Sequence, residues 1–436
     1  MPAANIAAQA GEAQIRLFEF ESDFVGLVDV SSGSIDLNYY ESILDTTVRV
    51  TATFVDTGYR LDEESGNRTA LKSENIDGSS VNLKIVDGYN NELSFSNENQ
   101  LRIESTRNMD DARNKQVFTV DMISKEYDDN LKLKCSVVKS YDGKIDENVK
   151  KILLECIKTE KNIDADPTLN NFNFSGKSQT PFYICTWLAT RSVPDIQDAN
   201  QNLAGYFFYE TSEGYKFKSI DKLFLQKPKR ILIYNDLIGD IPSGYDGKIL
   251  DYSFDKTFNL RQLRQTGALG QTQLRSFNLY DNKYEESEFN YINQYKEENN
   301  GGTRPIRYGN DQDETSLRFF SIKDFGVKPS GSVDQQLEKS RDTLNFNVDD
   351  ILRQSTMRYN SLYAVKLSIT IPGDINLHAG DLIHCDFPQV SGESLRTVSM
   401  EKSGIYMIHD LCHRITNKGC YTRLNLVRDS IGRKPF

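Results

Sequence analysis

Residues 369–388 read ITIPGDINLHAGDLIHCDFP, and residues 403–430 read SGIYMIHDLCHRITNKGCYTRLNLVRDS. A strand begun near Ala364 ends on Ile369-Thr370-Ile371, Pro372-Gly373 supplies a turn, and residues 375–383 make a second turn and strand. Residues 405–415 and 420–427 are two long runs of alternating character on either side of Asn417-Lys418-Gly419. Successive side chains of a strand point to opposite faces, so such runs bury one face and wet the other. These segments predict a closed or nearly closed antiparallel sheet.

The same texture recurs at the start of the chain. Ile35-Asp36-Leu37-Asn38-Tyr39 and residues 48–54, 81–85 and 118–122 each place apolar side chains at period two. Gly, Asn, Asp and Ser clusters separate them, and Asp62-Glu63-Glu64-Ser65-Gly66-Asn67 reads as a solvated edge. Near Tyr127 the pattern changes. Asp146-Glu147-Asn148 opens a helix whose stripe is Val149, Ile152, Leu153, Cys156 and Ile157, with acids at the positive end of its dipole. A second helix starts at Thr180-Pro181, the hydroxyl capping and Pro181 in the first turn, with Cys185, Leu188 and Ala189 inward. Residues 206–209 and 215–220 form a hairpin about Ser212-Glu213-Gly214.

Strands resume at residue 231, and residues 249–255 echo residues 35–41 loosely enough to suggest a repeated β domain. Residues 267–345 are polar and read as an insertion with long loops. A helix over residues 347–359 follows, capped by Asn347, with Val348, Ile351, Leu352 and Ser355 on one face. The expected fold is α+β, mostly β. Residues 1–125 form a first β domain and 126–228 an α+β domain. Residues 229–266 with 346–436 form a second, similar antiparallel β-barrel-like domain, and 267–345 a loop-rich insertion.

Composition narrows the function. The chain has 436 residues, 38% of them hydrophobic, and 22 Tyr and 23 Phe against one Trp, which excludes disorder as its main state. Its 52 bases and 63 acids give a formal charge of −11, the wrong sign for a general grip on nucleic acid or an anionic membrane. No apolar run approaches the ~20 residues that cross a bilayer, so a product that is cytosolic where it is made, without stable membrane association, is expected. The six scattered cysteines read as free thiols.

Catalytic and cofactor signatures are missing. Gly176-Lys177-Ser178 precedes a helix, but a phosphate loop needs Gly where Asn171 stands. GxSxG, HExxH and paired CxxC units are absent, and doublets such as Asp110-Asp111 and Asp349-Asp350 arise by chance among 63 acids. All four histidines (His378, His384, His409, His413) and Cys385, Cys412 and Cys420 fall in the last sheet, which raises a metal site. His409 and His413 lie roughly 13 Å apart along a strand, too far for one ion, and neighbours such as His384 and Cys385 face opposite ways. Buried histidines and thiols are expected there, with no catalytic, cofactor or metal residues.

The C-terminal pattern resembles the second tube domain of the central baseplate hub protein of contractile-tailed bacteriophages, a family related to the hub of type VI secretion spikes. Its Leu-x-x-Gly-Asp-x-Ile step is matched by Leu377, Gly380, Asp381 and Ile383, and its Gly-x-Tyr-x-Ile strand by Gly404, Tyr406 and Ile408. His413 follows, then Tyr421, Thr422 and Leu424 on the returning strand. The resemblance implies a structural virion protein of the tail baseplate, not an enzyme. It implies a homotrimer of two tube domains per chain, hence a pseudo-sixfold ring joining the tail tube protein above to the spike protein below. Other baseplate subunits are implied partners, with DNA only as passing cargo. An acid excess suits such a conduit, since an acidic lumen repels a phosphate backbone. From residue 402 onward seven bases face two acids, an end suited to an acidic partner or to solvent. The alternatives are another virion adhesin or tube-capping protein, or a glycan hydrolase housed in the insertion.

Overall fold

The computed structural model describes residues 11–22, 26–56, 60–61, 68–69, 76–112, 115–195, 203–235, 241–255, 271–279, 282–290, 300–305, 315–327, 331–335, 347–389, 398–416 and 419–434, with 261, 265 and 345. The acidic loop at residues 62–67, the turn residues Asn417 and Lys418, and most of the 389–402 loop lie outside the described residues.

Fifteen strands join in one sheet that runs through two modules. The first contains β1 (Ala13–Ser22), β2 (Gly26–Asp29), β3 (Ser34–Ser42), β4 (Arg49–Asp56), β5 (Ser80–Asp87), β6 (Glu92–Phe95), β7 (Leu101–Ala112) and β8 (Lys115–Ser124). The second contains β9 (Arg230–Tyr234), β10 (Gly247–Ile249), β11 (Asp251–Asp255), β12 (Val365–Pro372), β13 (Leu382–Asp386), β14 (Gly404–Thr416) and β15 (Gly419–Arg428).

In the first module the ladder runs β3-β4-β8-β7-β5-β1-β2, and β2 continues into β3 through the turn Ser31–Gly33. In the second it runs β11-β12-β15-β14-β13-β9-β10, and β10 continues into β11 through Leu250. Each path therefore ends on the bent stretch of chain on which it began, which removes most raw edges. The order of chain segments around the two rings is the same. They share one bulge position: β7 carries an extra residue, Glu104, just after Ile103, and β14 carries His409 just after Ile408, while β7 alone has a second extra residue, Met109. The rings differ in β9, which pairs parallel with both β10 and β13, whereas β1 is antiparallel to β2 and β5. The second sheet is thus mixed where a wholly antiparallel one was expected.

β3 and β14 pair antiparallel from Asp36↔Thr416 to Ser42↔Asp410, and this ladder fuses the rings. A single apolar cluster fills both, from Phe18, Phe20, Phe54 and Phe118 in the first module to Ile369, Ile383, Ile408 and Leu424 in the second. At period two, these residues are the inward half of each strand.

Between the modules lie α1 (Lys125–Asn130), α2 (Ile145–Ile152), α3 (Pro181–Ala189) and α4 (Ile220–Leu225), with a small sheet whose central strand is Gly214–Ser219. The expected stripe of Val149, Ile152, Leu153 and Ile157 is buried, but the helix widens into a π turn over Leu153–Ile157 and leaves Cys156 half-buried. Thr180 does not cap α3; the Asn130 side chain, fifty residues away, accepts from the Phe182 amide at 2.9 Å. Likewise Asn347 precedes α5 (Val348–Leu362) in a left-handed conformation without a side-chain cap. The α5 core face also includes Arg358, which forks onto Asp221 at 2.7 and 3.2 Å. The insertion is more than loops. Gln271–Asn278 pairs antiparallel with Lys283–Asn290 and parallel with Thr315–Ile322, and Arg353 of α5 lies over Phe319. All six cysteines are free, and no described helix is long and apolar enough to cross a membrane.

Candidate functional site

In β3, Leu37, Tyr39 and Glu41 occupy successive inward positions, so a carboxylate sits where the pattern calls for an apolar side chain. A buried carboxylate must be paired and hydrogen-bonded. Glu41 accepts from the Tyr39 hydroxyl at 2.6 Å, the Ser212 amide at 2.9 Å and the Ala379 amide at 2.9 Å, and lies 3.1 Å from His378 Nδ1. One side chain thereby ties the first module, the middle hairpin and the second module. Burial alone would push its pKa up; His378, the Tyr39 hydroxyl and the Ser212 amide outweigh that and hold it at about 2. Burial pulls the His378 imidazole down, and Glu41 more than reverses this, leaving it raised.

The turn bearing His378 is fixed from several sides. Asp381 accepts from the His378 amide at 2.8 Å and from Lys229 at 3.0 Å. Gly380 has φ +89°, and a Cβ there would stand 2.3 Å from the Tyr209 hydroxyl, so glycine is required by both backbone and space. The Gly380 amide donates to Ile408 O at 2.9 Å, and the Ile408 amide returns to Asp381 O at 2.9 Å. The first module repeats this clasp: Gly78, φ +80°, donates to Ile103 O, and the Ile103 amide donates to Ser79 O, each at 3.0 Å.

His413 is buried, stacked on Tyr39 with ring centroids 5.8 Å apart, and its Nδ1 lies 2.9 Å from the Thr422 hydroxyl. Burial pushes its pKa down to about 4, so it is neutral at pH 7. Thr422 also accepts from the Asp374 amide at 3.0 Å. A second polar knot lies beside it, where buried Lys161 bridges Glu126 and Glu210 at 2.6 Å each and Glu210 accepts from the Val48 amide at 3.1 Å.

The remaining motif positions divide between core and joint. Leu377, Ile383, Tyr406, Ile408 and Leu424 are fully buried. Gly404 has φ +134°, and a Cβ there would meet the guanidinium of Arg428, which is itself buried over the Tyr406 ring and donates to Ser403 O at 3.0 Å. Tyr421 is exposed. Each histidine has its own partner, His384 with Asp386 at 3.0 Å and His409 with Asp410 at 2.6 Å beside the two above. Among the described residues no three His, Cys, Asp or Glu converge on a point. The Gly176 and Ser178 amides are spent on Lys139 O and Val137 O, so that turn presents no free cradle to a phosphate. The sequence reading missed Glu41, Lys161 and Arg428; only Glu41 had a signal, its inward phase in β3.

The joint has the character of a mechanical tie: its charges neutralise one another and its amides are spent within the chain. Its scaffold recurs elsewhere. The structure superposes with the tail protein of Neisseria meningitidis MC58 at a TM-score of 0.54, 9% identity, 95% of this chain and 97% of that one. With the 43 kDa tail protein of prophage MuSo2 from Shewanella oneidensis the TM-score is 0.52, at 7% identity, 96% of this chain and 100% of that one. The chain has a phage tail protein fold. A stretch of 76 residues is 34% identical to a probable baseplate hub protein of Vibrio phage KVP40, which is 17% of this chain and 18% of that relative. No protein-family model matches the chain.

Proposed function

We propose that this chain is a structural subunit of a phage tail baseplate, the hub on which the tube is built, and that it carries no catalytic activity. The observation that carries the reading is the pair of rings with one strand order, one bulge position and one glycine clasp, fused by the β3·β14 ladder. The local similarity to a baseplate hub protein and the shared tail-protein fold support it. Residues 1–125 and residues 229–266 with 346–436 are in this reading the two tube modules, 126–228 the domain between them and 267–345 an insertion. In this reading three copies place six like modules around a channel, which matches a sixfold tube on one side and a threefold spike on the other. The motif residues Leu377, Gly380, Asp381, Ile383, Gly404, Tyr406, Ile408, His413, Tyr421, Thr422 and Leu424 act as scaffold, fixing the turn and the two long strands of the second module. The acid excess keeps passing DNA from adhering.

Native mass spectrometry of the purified full chain tests this. A species of three chains is expected, and a monomer at every concentration and ionic strength overturns it.

A further inference from the structure

Two buried arginines of α5, Arg358 at 3% exposure and Arg353 at 5%, are held in opposite ways. Arg358 forks onto Asp221 and also donates to Leu203 O and Ala204 O. Arg353 turns instead to the insertion, its guanidinium 4.6 Å from the Phe319 ring centre and 5.6 Å from that of Phe289. Ring faces attract a cation but give its N–H groups no conventional acceptor. Nε and Nη2 of Arg353 accordingly bond to nothing, and no carboxylate pairs with it among the described residues. Burial pulls its pKa down to about 10 against the attraction of Asp350. A buried charge left in this state weakens whatever contact buries it.

The sheet that covers Arg353 does little to offset this. Alternation puts Thr272, Leu274, Ser276 and Asn278 of its central strand on the inner face, beside Ser287 and Phe289 of one neighbour and Phe319 and Ser321 of the other. Most of these carry hydroxyl or amide groups. The Thr272 hydroxyl is fully buried and unbonded, while Ser287 donates to Asp350 of α5 at 2.7 Å. The large apolar side chains Tyr284, Phe320 and Ile322 lie on the other face, each more than half exposed. Docking therefore buries hydroxyls and an orphaned cation and leaves the sheet's largest apolar groups in water. The root of the insertion is fixed elsewhere. Gly301 and Gly302 donate to Asp429 and Ser430, and the Thr303 and Arg304 amides to Ile431 O.

We infer that the three-stranded sheet of the insertion is a latch that opens from α5 while both strand modules stay folded, with Arg353 keeping the closed state weak. Opening gives the guanidinium water and uncovers the hydroxyl-lined face, and residues 301–304 stay pinned to the C-terminal segment. A unit with so few apolar contacts opens far more often than the cores beside it. The latch belongs to the single chain and stands or falls apart from the hub reading.

Thiol labelling tests it. Thr272→Cys exchanges an unbonded hydroxyl for a thiol on the hidden face, and the full chain carrying it is treated with iodoacetamide and read site by site in peptide mass spectra. Protection of that thiol, its rate in urea over its native rate, is expected to be roughly 100-fold or more below that of Cys385, buried in the second module. Adding Arg353→Met keeps an unbranched side chain between the rings and removes the charge, and is expected to raise the protection roughly tenfold. Arg358→Met, on the same helix, removes the fork onto Asp221 and is expected not to raise it. Protection equal to that of Cys385 overturns the latch. Arg353→Met that labels as fast as its parent or faster, or a gain from Arg358→Met as large as that from Arg353→Met, overturns the role of Arg353.

Discussion

The two strand modules share a path and differ in what their turns touch. In the first, Gly78 sits in its clasp with open space around it; in the second, Gly380 makes the same two hydrogen bonds against the wall of Tyr209 and Leu223. The first ring is filled by aromatic rings, Phe18, Phe20, Phe54 and Phe118 among them, and the second mostly by aliphatic side chains, Ile369, Ile371 and Leu426 among them. β1 and β9, which take the same place in the two rings, even run in opposite directions relative to their neighbours. A ring of this kind constrains the order of its segments and the place of its bulge, while the closing strand's direction follows from where the chain arrives. β9 arrives from α4 and the middle domain, β1 from the N-terminal segment.

If the joint rather than the β3·β14 ladder couples the modules, Glu41 is the residue whose loss separates them. Glu41→Ala leaves the Ser212 and Ala379 amides and the His378 ring without their acceptor, and breaking such a buried pair costs about 3–5 kcal/mol. Calorimetry is expected to show a lower first transition, and an unchanged single peak would assign the coupling to the ladder alone.

The joint also makes the modules respond differently to acid. His413 is held neutral with a pKa of about 4 against 6.5 when unfolded, so its contribution is complete above pH 6.5 and falls as pH drops toward 4. That loss amounts to about 3 kcal/mol at ~1.4 kcal/mol per pKa unit. Glu41, held at about 2 against 4.5, contributes fully above pH 4.5 and is lost only below it. His378, raised, contributes fully below pH 6.5 and is lost as pH rises through its folded pKa. Denaturation midpoints of His413→Gln measured from pH 7 to 4 are expected to decline less steeply than those of the unaltered chain. Parallel curves would show that His413 takes a proton without penalty.

The glycine clasps give the most direct contrast. Gly380→Ala adds a clash with a buried hydroxyl to a left-handed backbone and is expected to cost about 3 kcal/mol, whereas Gly78→Ala bears the backbone strain alone, about 1 kcal/mol. Equal losses in urea titration would mean that the two turns are supported alike. The smallest effect belongs to the exposed Arg414–Asp36 pair, where Arg414→Ala is expected to change stability by under about 1 kcal/mol. A larger loss would mark the charges of the β3·β14 ladder as structural.

Much of the strand pattern was legible because alternation is local: β3, β4, β5, β8, β12, β14 and β15 each announce an inward face. The caps were not, since the Asn130 side chain reaches Phe182 from another element and no local rule for Thr180 anticipates it. Residues 35–41 and 249–255 do occupy the same place in the two rings, but the ladders align Leu37 with Tyr252, one residue away from the sequence match. The stronger repeat, Gly78 with Gly380, has no flanking identity to reveal it, because a left-handed turn demands only its glycine.

By itself the sequence determined the alternating strands, the helical stripe of residues 149–157, the free thiols and the acidic balance, all set by nearest neighbours or by simple count. The tertiary structure alone decided which strands close each ring and that Glu41 meets His378 across 337 positions of chain. Those outcomes depend on long-range pairing, in which a hydrogen-bond ladder accepts many sequences and only packing of the whole selects one.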